Sequence, residues 1–301
     1  MKKILLTTVA ALASGALQAQ NFGAFQAQNT QPQNPYTLKA GPVTMIIDAG
    51  RGAKILSLKH GEKEIISQMQ RPEAFGSTFW TSPQKEWNWP PVSEFDKQPY
   101  TVEQQDGRLL MTSGVSERLK YRVSKAFATD EADGSIVVTY SIKNESDETR
   151  RVAPWEITRV TNEGIIFFDA AADSITPADI MKFEARDGAV WYEADEAPQN
   201  RKINADGRGW LAYSANGLLL VKKFQDLTPT QPAPGEAEIQ VYVNQRKTYI
   251  ELESQGAYTT LQPSESLSWA VRWYLVPVEE ELAKPSASLV ARVKKLIHLT
   301  K

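Results

Sequence analysis

From residue 43 to residue 275 the chain falls into short runs that alternate apolar and polar residues or carry β-branched ones. Nearly every run breaks at glycine, aspartate or asparagine. A period of two is the mark of strands with one face buried. It predicts strands at 43–47, 54–58, 64–66, 108–112, 119–128, 135–143, 151–161 and 164–168. Further strands follow at 189–192, 209–214, 218–224, 238–243, 248–254 and 267–275. Turns are supplied by residues 48–52, by Asp106-Gly107 and by Asp133-Gly134. Helical patterning is confined to 279–282 and 286–299, the second with Ser286 as its cap. The expectation is an all-β chain, a sandwich or a barrel, with a short C-terminal helix.

The N-terminal residues set an expectation about compartment. Lys2 and Lys3 precede an apolar run over 4–16 that is too short to span a bilayer, and Ala19 offers a small residue before Gln20. Residues 1–19 therefore read as a secretory signal peptide, with cleavage after Ala16 or Ala27 also open. Residues 20–35, rich in Gln, Asn and Ala, read as a disordered leader. Residues 36–301 read as a single domain, without a linker or a fixed-period repeat. The expected location is the periplasm, or outside the cell.

Charge and composition then narrow the function classes. The chain has no cysteine, which excludes disulfides, a lipidated N-terminal cysteine and thiolate chemistry. Its formal net charge of −2 is spread over mixed signs, with no basic stripe for nucleic acid. No second apolar stretch offers a membrane anchor. The two histidines, His60 and His298, are too few for a zinc site and sit far apart in sequence. No cofactor and no metal are expected. The eight tryptophans are more telling, because indole faces stack on the apolar face of a pyranose in water.

Residues 70–100 are weakly patterned and read as a long functional loop. Within it, Trp80, Trp87 and Trp89 stand beside Gln84, Lys85 and Asn88. That combination supplies stacking faces with donors and acceptors. The alternative is a loop that packs its own aromatics as a plug.

Two further stretches carry a resemblance. Gly52-Ala53-Lys54-Ile55-Leu56-Ser57-Leu58, with Gly61 and Glu64-Ile65-Ile66, is similar to the opening hairpin of aldose 1-epimerases. Residues 249–255 (Tyr-Ile-Glu-Leu-Glu-Ser-Gln), then Leu261-Gln262-Pro263-Ser264-Glu265 and Trp273-Tyr274-Leu275, resemble their closing strands, with Ser264 in place of the usual glycine. The chain thus resembles the galactose mutarotase-like superfamily, a β-supersandwich. Within it the likeness is to a bacterial branch known as a domain of unknown function. The loop at 76–91 is similar in position to one in hexose-6-phosphate epimerases, but it lacks their following arginine.

The resemblance implies a carbohydrate ligand and puts Glu253 where the family keeps its general base. It puts Trp155 on the position of the acid histidine and Arg159 on a later asparagine. Epimerisation at C1 needs an acid for the ring oxygen and a base for the anomeric hydroxyl, and an indole can serve as neither. Alternation sets Trp155, Ile157 and Arg159 on one face and Glu156 on the other, so Glu156 is a candidate acid only if the strand bulges. Glu251 shares the face of Glu253, and Arg159 is expected to pair with Glu253 or with an acidic sugar.

Three readings follow. The first is an exported carbohydrate-binding protein that is not a standard aldose 1-epimerase, using Trp155, Arg159, Trp80, Gln84, Trp87, Trp89 and Glu251. The second is a sugar epimerase or lyase-like enzyme with Glu253 as base and Glu156, Lys85 or a tyrosine as proton donor. The third is a docking module that keeps the fold without the site.

Overall fold

The computed structural model describes residues 33–69, 74–105, 107–279 and 284–298. The expected signal peptide, most of the leader and the expected short helix beyond Glu279 lie outside these residues. The chain opens with strands β1 (Pro35–Ala40), β2 (Val43–Asp48), β3 (Lys54–His60), β4 (Lys63–Glu64) and β5 (Ser77–Ser82), and then a short helix α1 (Ser93–Asp96). Strands β6 (Thr101–Gln105), β7 (Arg108–Val115), β8 (Tyr121–Asp130) and β9 (Ser135–Asn144) form a meander. Next come β10 (Arg150–Val160), β11 (Ile165–Phe168), β12 (Glu184–Arg186), β13 (Ala189–Glu193) and β14 (Arg201–Ala205). The chain continues through β15 (Trp210–Ala215), β16 (Leu218–Lys223), β17 (Ile239–Val243) and β18 (Ile250–Gln255). It closes with β19 (Thr259–Leu261), β20 (Ser266–Pro277) and helix α2 (Ala287–His298).

Two antiparallel sheets result. The first runs β1-β2-β3-β5-β10-β18-β17-β14, with β4 and β19 on its flanks. The second runs β12-β13-β11-β15-β16-β20-β9-β8-β7-β6. Of the two all-β architectures that the alternation allows, the fold is the sandwich, as the resemblance implies. Each predicted strand matches an observed one to within a few residues, and Ser286 caps α2 with a hydroxyl 3.3 Å from the Leu289 N–H. The structure differs from the expectation at residues 33–35 and in the long loop. Gln33 and Asn34 are held by their N–H groups on Asp48, and a strand already begins at Pro35. The segment read as loop carries β5, a central strand whose six residues are all buried.

The two sheets meet through a mixed core. Phe79 of β5 stacks on Tyr140 of β9 with ring centroids 4.5 Å apart and planes 7° from parallel. At the centre, Lys222 of β16 forms an ion pair with Glu156 of β10, both fully buried. Ser77 and Thr158 hydroxyls donate to the same carboxylate, and Lys222 also reaches the Leu252 carbonyl at 3.1 Å. Burial pulls the Lys222 ammonium below its ordinary value, and Glu156 opposes that shift. Pro154 interrupts β10 where its partner changes from β19 to β18, and its carbonyl accepts the Gly256 N–H at 2.9 Å. A side chain on Gly256 would sit 2.6 Å from the Pro154 ring, so only glycine permits this approach.

Removing one partner of a buried ion pair leaves an uncompensated charge, which costs about 3–5 kcal/mol. Lys222→Met is expected to lose that much in chemical denaturation. Lys222→Met combined with Glu156→Gln, which removes the stranded charge, should lose less than half as much. Equal losses in the two variants would mean that the pair is not coupled.

Candidate functional site

The outward face of the first sheet around β10 and β18 brings most of the expected residues together. Register pairs Trp155 with Gln255 and Trp80, Ile157 with Glu253, and Arg159 with Glu251. Directly opposed residues share a face. Trp155, Trp80, Glu253, Gln255, Arg159 and Glu251 therefore lie on one side, and Glu156 and Phe79 on the other.

Glu253 is the centre of this face and is completely buried. Trp155 donates its indole N–H to Glu253 Oε2 at 2.8 Å, and Lys202 of β14 donates to the same oxygen at 2.8 Å. Oε1 has no hydrogen-bond partner among the described residues. Burial holds the Glu253 carboxyl above its ordinary value; the Lys202 charge pulls it back, and Glu251 adds to the rise. The Lys202 ammonium also stands 4.7 Å over the Trp155 ring, a cation–π contact.

Arg159 pairs with Glu251, Nη2 to Oε1 at 2.8 Å, and not with Glu253 as expected. The register is the cause. Arg159 stands opposite Glu251, whereas Glu253 stands opposite Ile157. The guanidinium also lies 5.7 Å from the Trp80 ring centroid. Glu156 is confirmed on the inner face with Lys222, out of reach of Glu253's face. His60 ends β3 opposite Val43 and Lys63, and His298 ends α2 beside the Lys294 carbonyl, so neither stands on β10 or β18.

The tryptophan loop closes over Trp155. Trp80 meets Trp155 edge-on at 5.4 Å and Trp87 at 5.5 Å, and Trp87 lies 6.3 Å from Trp155. Trp80 donates to Asp96 Oδ1 at 2.9 Å and Trp87 to the Thr81 carbonyl at 2.8 Å. Those three indoles are buried, whereas Trp89, edge-on to Trp80 at 6.0 Å, is 55% exposed. The loop thus packs most of its aromatics inward and offers one face to solvent. Lys85 is exposed and Gln84 half-buried, and the Gln84 N–H is held by Glu236 Oε1 at 3.1 Å.

Several residues of this face escaped the sequence reading. Asp96, on the short α1, gathers Thr78, Trp80 and Lys54, the last with Nζ at 2.7 Å. Glu236, Gln240 and Gln255 form a chain of amide and carboxylate bonds beside the tryptophan loop. Lys202 comes from an edge strand of five residues whose pattern gave no signal. Gln255 was visible only as the last residue of the 249–255 motif.

Comparison with known proteins places the fold. No protein-family model matches the chain, and no curated protein matches it. Solved structures do match, and they define the fold as galactose mutarotase-like. A candidate aldose 1-epimerase of Escherichia coli K12 aligns at 13% identity over 81% of this chain and 99% of its own, with a TM-score of 0.59. A protein of Synechocystis aligns at 14% identity over 85% and 100%, TM-score 0.58. A galactose mutarotase-like protein of Lactobacillus casei aligns at 12% identity over 81% and 100%, TM-score 0.53.

Glu238 precedes β17 in the segment that carries Glu236. It accepts the Gly209 and Leu227 N–H groups at 2.8 and 3.0 Å. Burial pushes its carboxyl up to about 7, above an ordinary 4.5. A raised carboxyl binds its proton more tightly folded than unfolded, so the stability it lends is full below pH 4.5 and is lost as pH rises through about 7. Unfolding free energy measured from pH 4 to 8 should fall less steeply in Glu238→Gln than in the wild type. Parallel profiles would show that Glu238 does not titrate in this window.

Proposed function

We propose that the chain is an exported carbohydrate-binding protein that takes a sugar on the face formed by Glu253, Lys202, Trp155 and the tryptophan loop, and that it does not epimerise that sugar. The observation that carries this reading is the state of Glu253. A fully buried carboxylate with one oxygen tied to Trp155 and Lys202 leaves its other oxygen, itself shielded from solvent and without a hydrogen-bond partner among the described residues, as an unfilled acceptor just beneath this face. A sugar hydroxyl is a donor of the right kind, and the exposed Trp89 supplies a stacking surface nearby. Glu251 with Arg159 borders the same face. Export follows from the pattern of residues 2–19.

Against catalysis stands the missing acid. Trp155 occupies the position at which the resemblance calls for it, Glu156 points into the core, and Lys202 binds the same carboxylate that would serve as base. One observation favours the enzyme reading, namely that burial raises the Glu253 carboxyl, as suits a general base at neutral pH.

The test is a thermal-shift and calorimetry panel of neutral mono- and oligosaccharides. A ligand at a hundred times its Kd stabilises the fold by about 2.7 kcal/mol. Trp89→Ala and Lys202→Ala, both at partly exposed side chains, should each weaken binding by about tenfold. NMR of anomer exchange should show no acceleration by the protein. A panel without a single shift would sink the binding reading, and an acceleration abolished by Glu253→Gln would replace it with the enzyme.

A further inference from the structure

Behind the tryptophan loop lies a cavity. Arg118 donates to the carbonyls of Trp87 at 2.6 Å and Glu86 at 2.9 Å, which fixes the loop at the cavity's edge. Trp87 packs on Trp155, while Glu86 lines a cavity of about 440 Å³ together with Arg118, Arg150, Arg151, Tyr121 and Tyr258. That volume is within the range of small-ligand pockets.

Arg151 links the cavity to the sugar face along a single strand, whereas Arg150, at an odd spacing from Trp155, reaches the cavity from the start of the strand's other face. Arg151 precedes Trp155 on β10 by an even number of residues and so shares its face, roughly 13 Å away at the rise of an extended chain. The Arg151 guanidinium stacks 4.3 Å over the Tyr258 ring and donates to the Tyr258 carbonyl at 3.2 Å. Arg150 donates to Ser146 Oγ and pairs at 3.2 Å with Glu148, whose side chain is largely exposed. A guanidinium has five donors, and these bonds use only part of either set. An exposed ion pair is weak, so Glu148 is readily exchanged for another carboxylate.

We propose that this cavity is an anionic subsite, and that it takes the carboxylate of a uronic acid unit in an oligosaccharide whose neighbouring units lie on the tryptophan face. The inference rests on the carbohydrate-binding reading above. The charge balance selects the anion: three arginines against two glutamates leave the lining one unit positive, which matches a carboxylate better than a doubly charged phosphate. Planar guanidinium groups bind carboxylates bidentately, and Tyr121 and Tyr258 add ring faces and hydroxyls. Burial holds the Glu86 carboxyl above its ordinary value, which softens its repulsion of an incoming acid.

The experiment is calorimetry of the full chain with trimers of galacturonate, glucuronate and mannuronate and with their methyl esters, at low and high salt. At least one acid trimer should bind about tenfold more tightly than its ester. High salt should erase that advantage, as should Arg150→Gln combined with Arg151→Gln. Both side chains are solvent-accessible, and an unchanged melting temperature confirms that the double variant folds. Equal affinity for every acid and ester overturns the subsite and leaves the neutral-sugar reading standing, as does an acid preference that survives in the double variant. If neither the acid trimers nor any neutral sugar binds, both readings fall.

Discussion

The two-residue period of β10 is the constraint on which the molecule depends. This strand is central, hydrogen-bonded to β5 and β18, and buried on both faces over most of its length. Its even residues build the core: Glu156 meets Lys222, and Thr158 donates to Glu156. Its odd residues build the outward face: Trp155 meets Glu253, and Arg159 meets Glu251. A slip of one residue would send each set to the other side, placing Arg159 on the core face opposite Ser77 and Glu156 opposite Trp80. The ionic anchor in the core therefore also fixes the register of the site.

The buried charges on the outward face follow one rule. An isolated ion out of water is costly, and an ion pair recovers that cost only with good geometry and further hydrogen bonds. Lys54 with Asp96 meets the condition through Thr78 and Trp80, and burial lowers the Lys54 ammonium while Asp96 opposes the shift. Arg159 and Glu251 meet it through the Phe75 carbonyl. Glu253 meets it on one oxygen and not on the other. Each pair also locks a tryptophan or stands against one, so electrostatics here position aromatic surface more than they add stability.

How much of this could be read beforehand depends on range. Local alternation gave the sheets, because a half-buried strand writes its pattern into its own residues. The strand Ser77–Ser82 was not legible. Its serines and threonines look like loop, and they are buried because Ser77 finds Glu156 and Thr78 finds Asp96, 79 and 18 residues away. The face of Glu253 and Trp155 was legible, since a period of two assigns faces strand by strand. The partner of Arg159 was not, because strand register is set between strands and a shift of two residues preserves the pattern. Lys202 reaches Glu253 from 51 residues away on an edge strand, and no local pattern marks such a contact.

The indole at position 155 changes what Glu253 can do. An imidazole there would have two nitrogens and could exchange a proton near neutral pH. The indole has a single N–H, a donor only, and that proton is directed to Glu253 itself. With Lys202 on the same oxygen, the carboxylate gains two fixed donors, and both stabilise its charged form against the burial that would protonate it. On the binding reading, Glu253, which the resemblance puts in a general base's position, serves as an acceptor. The same two donors, which favour the charged form against burial, hold the other oxygen in place, so the arrangement that weakens a general base strengthens a site for a hydroxyl.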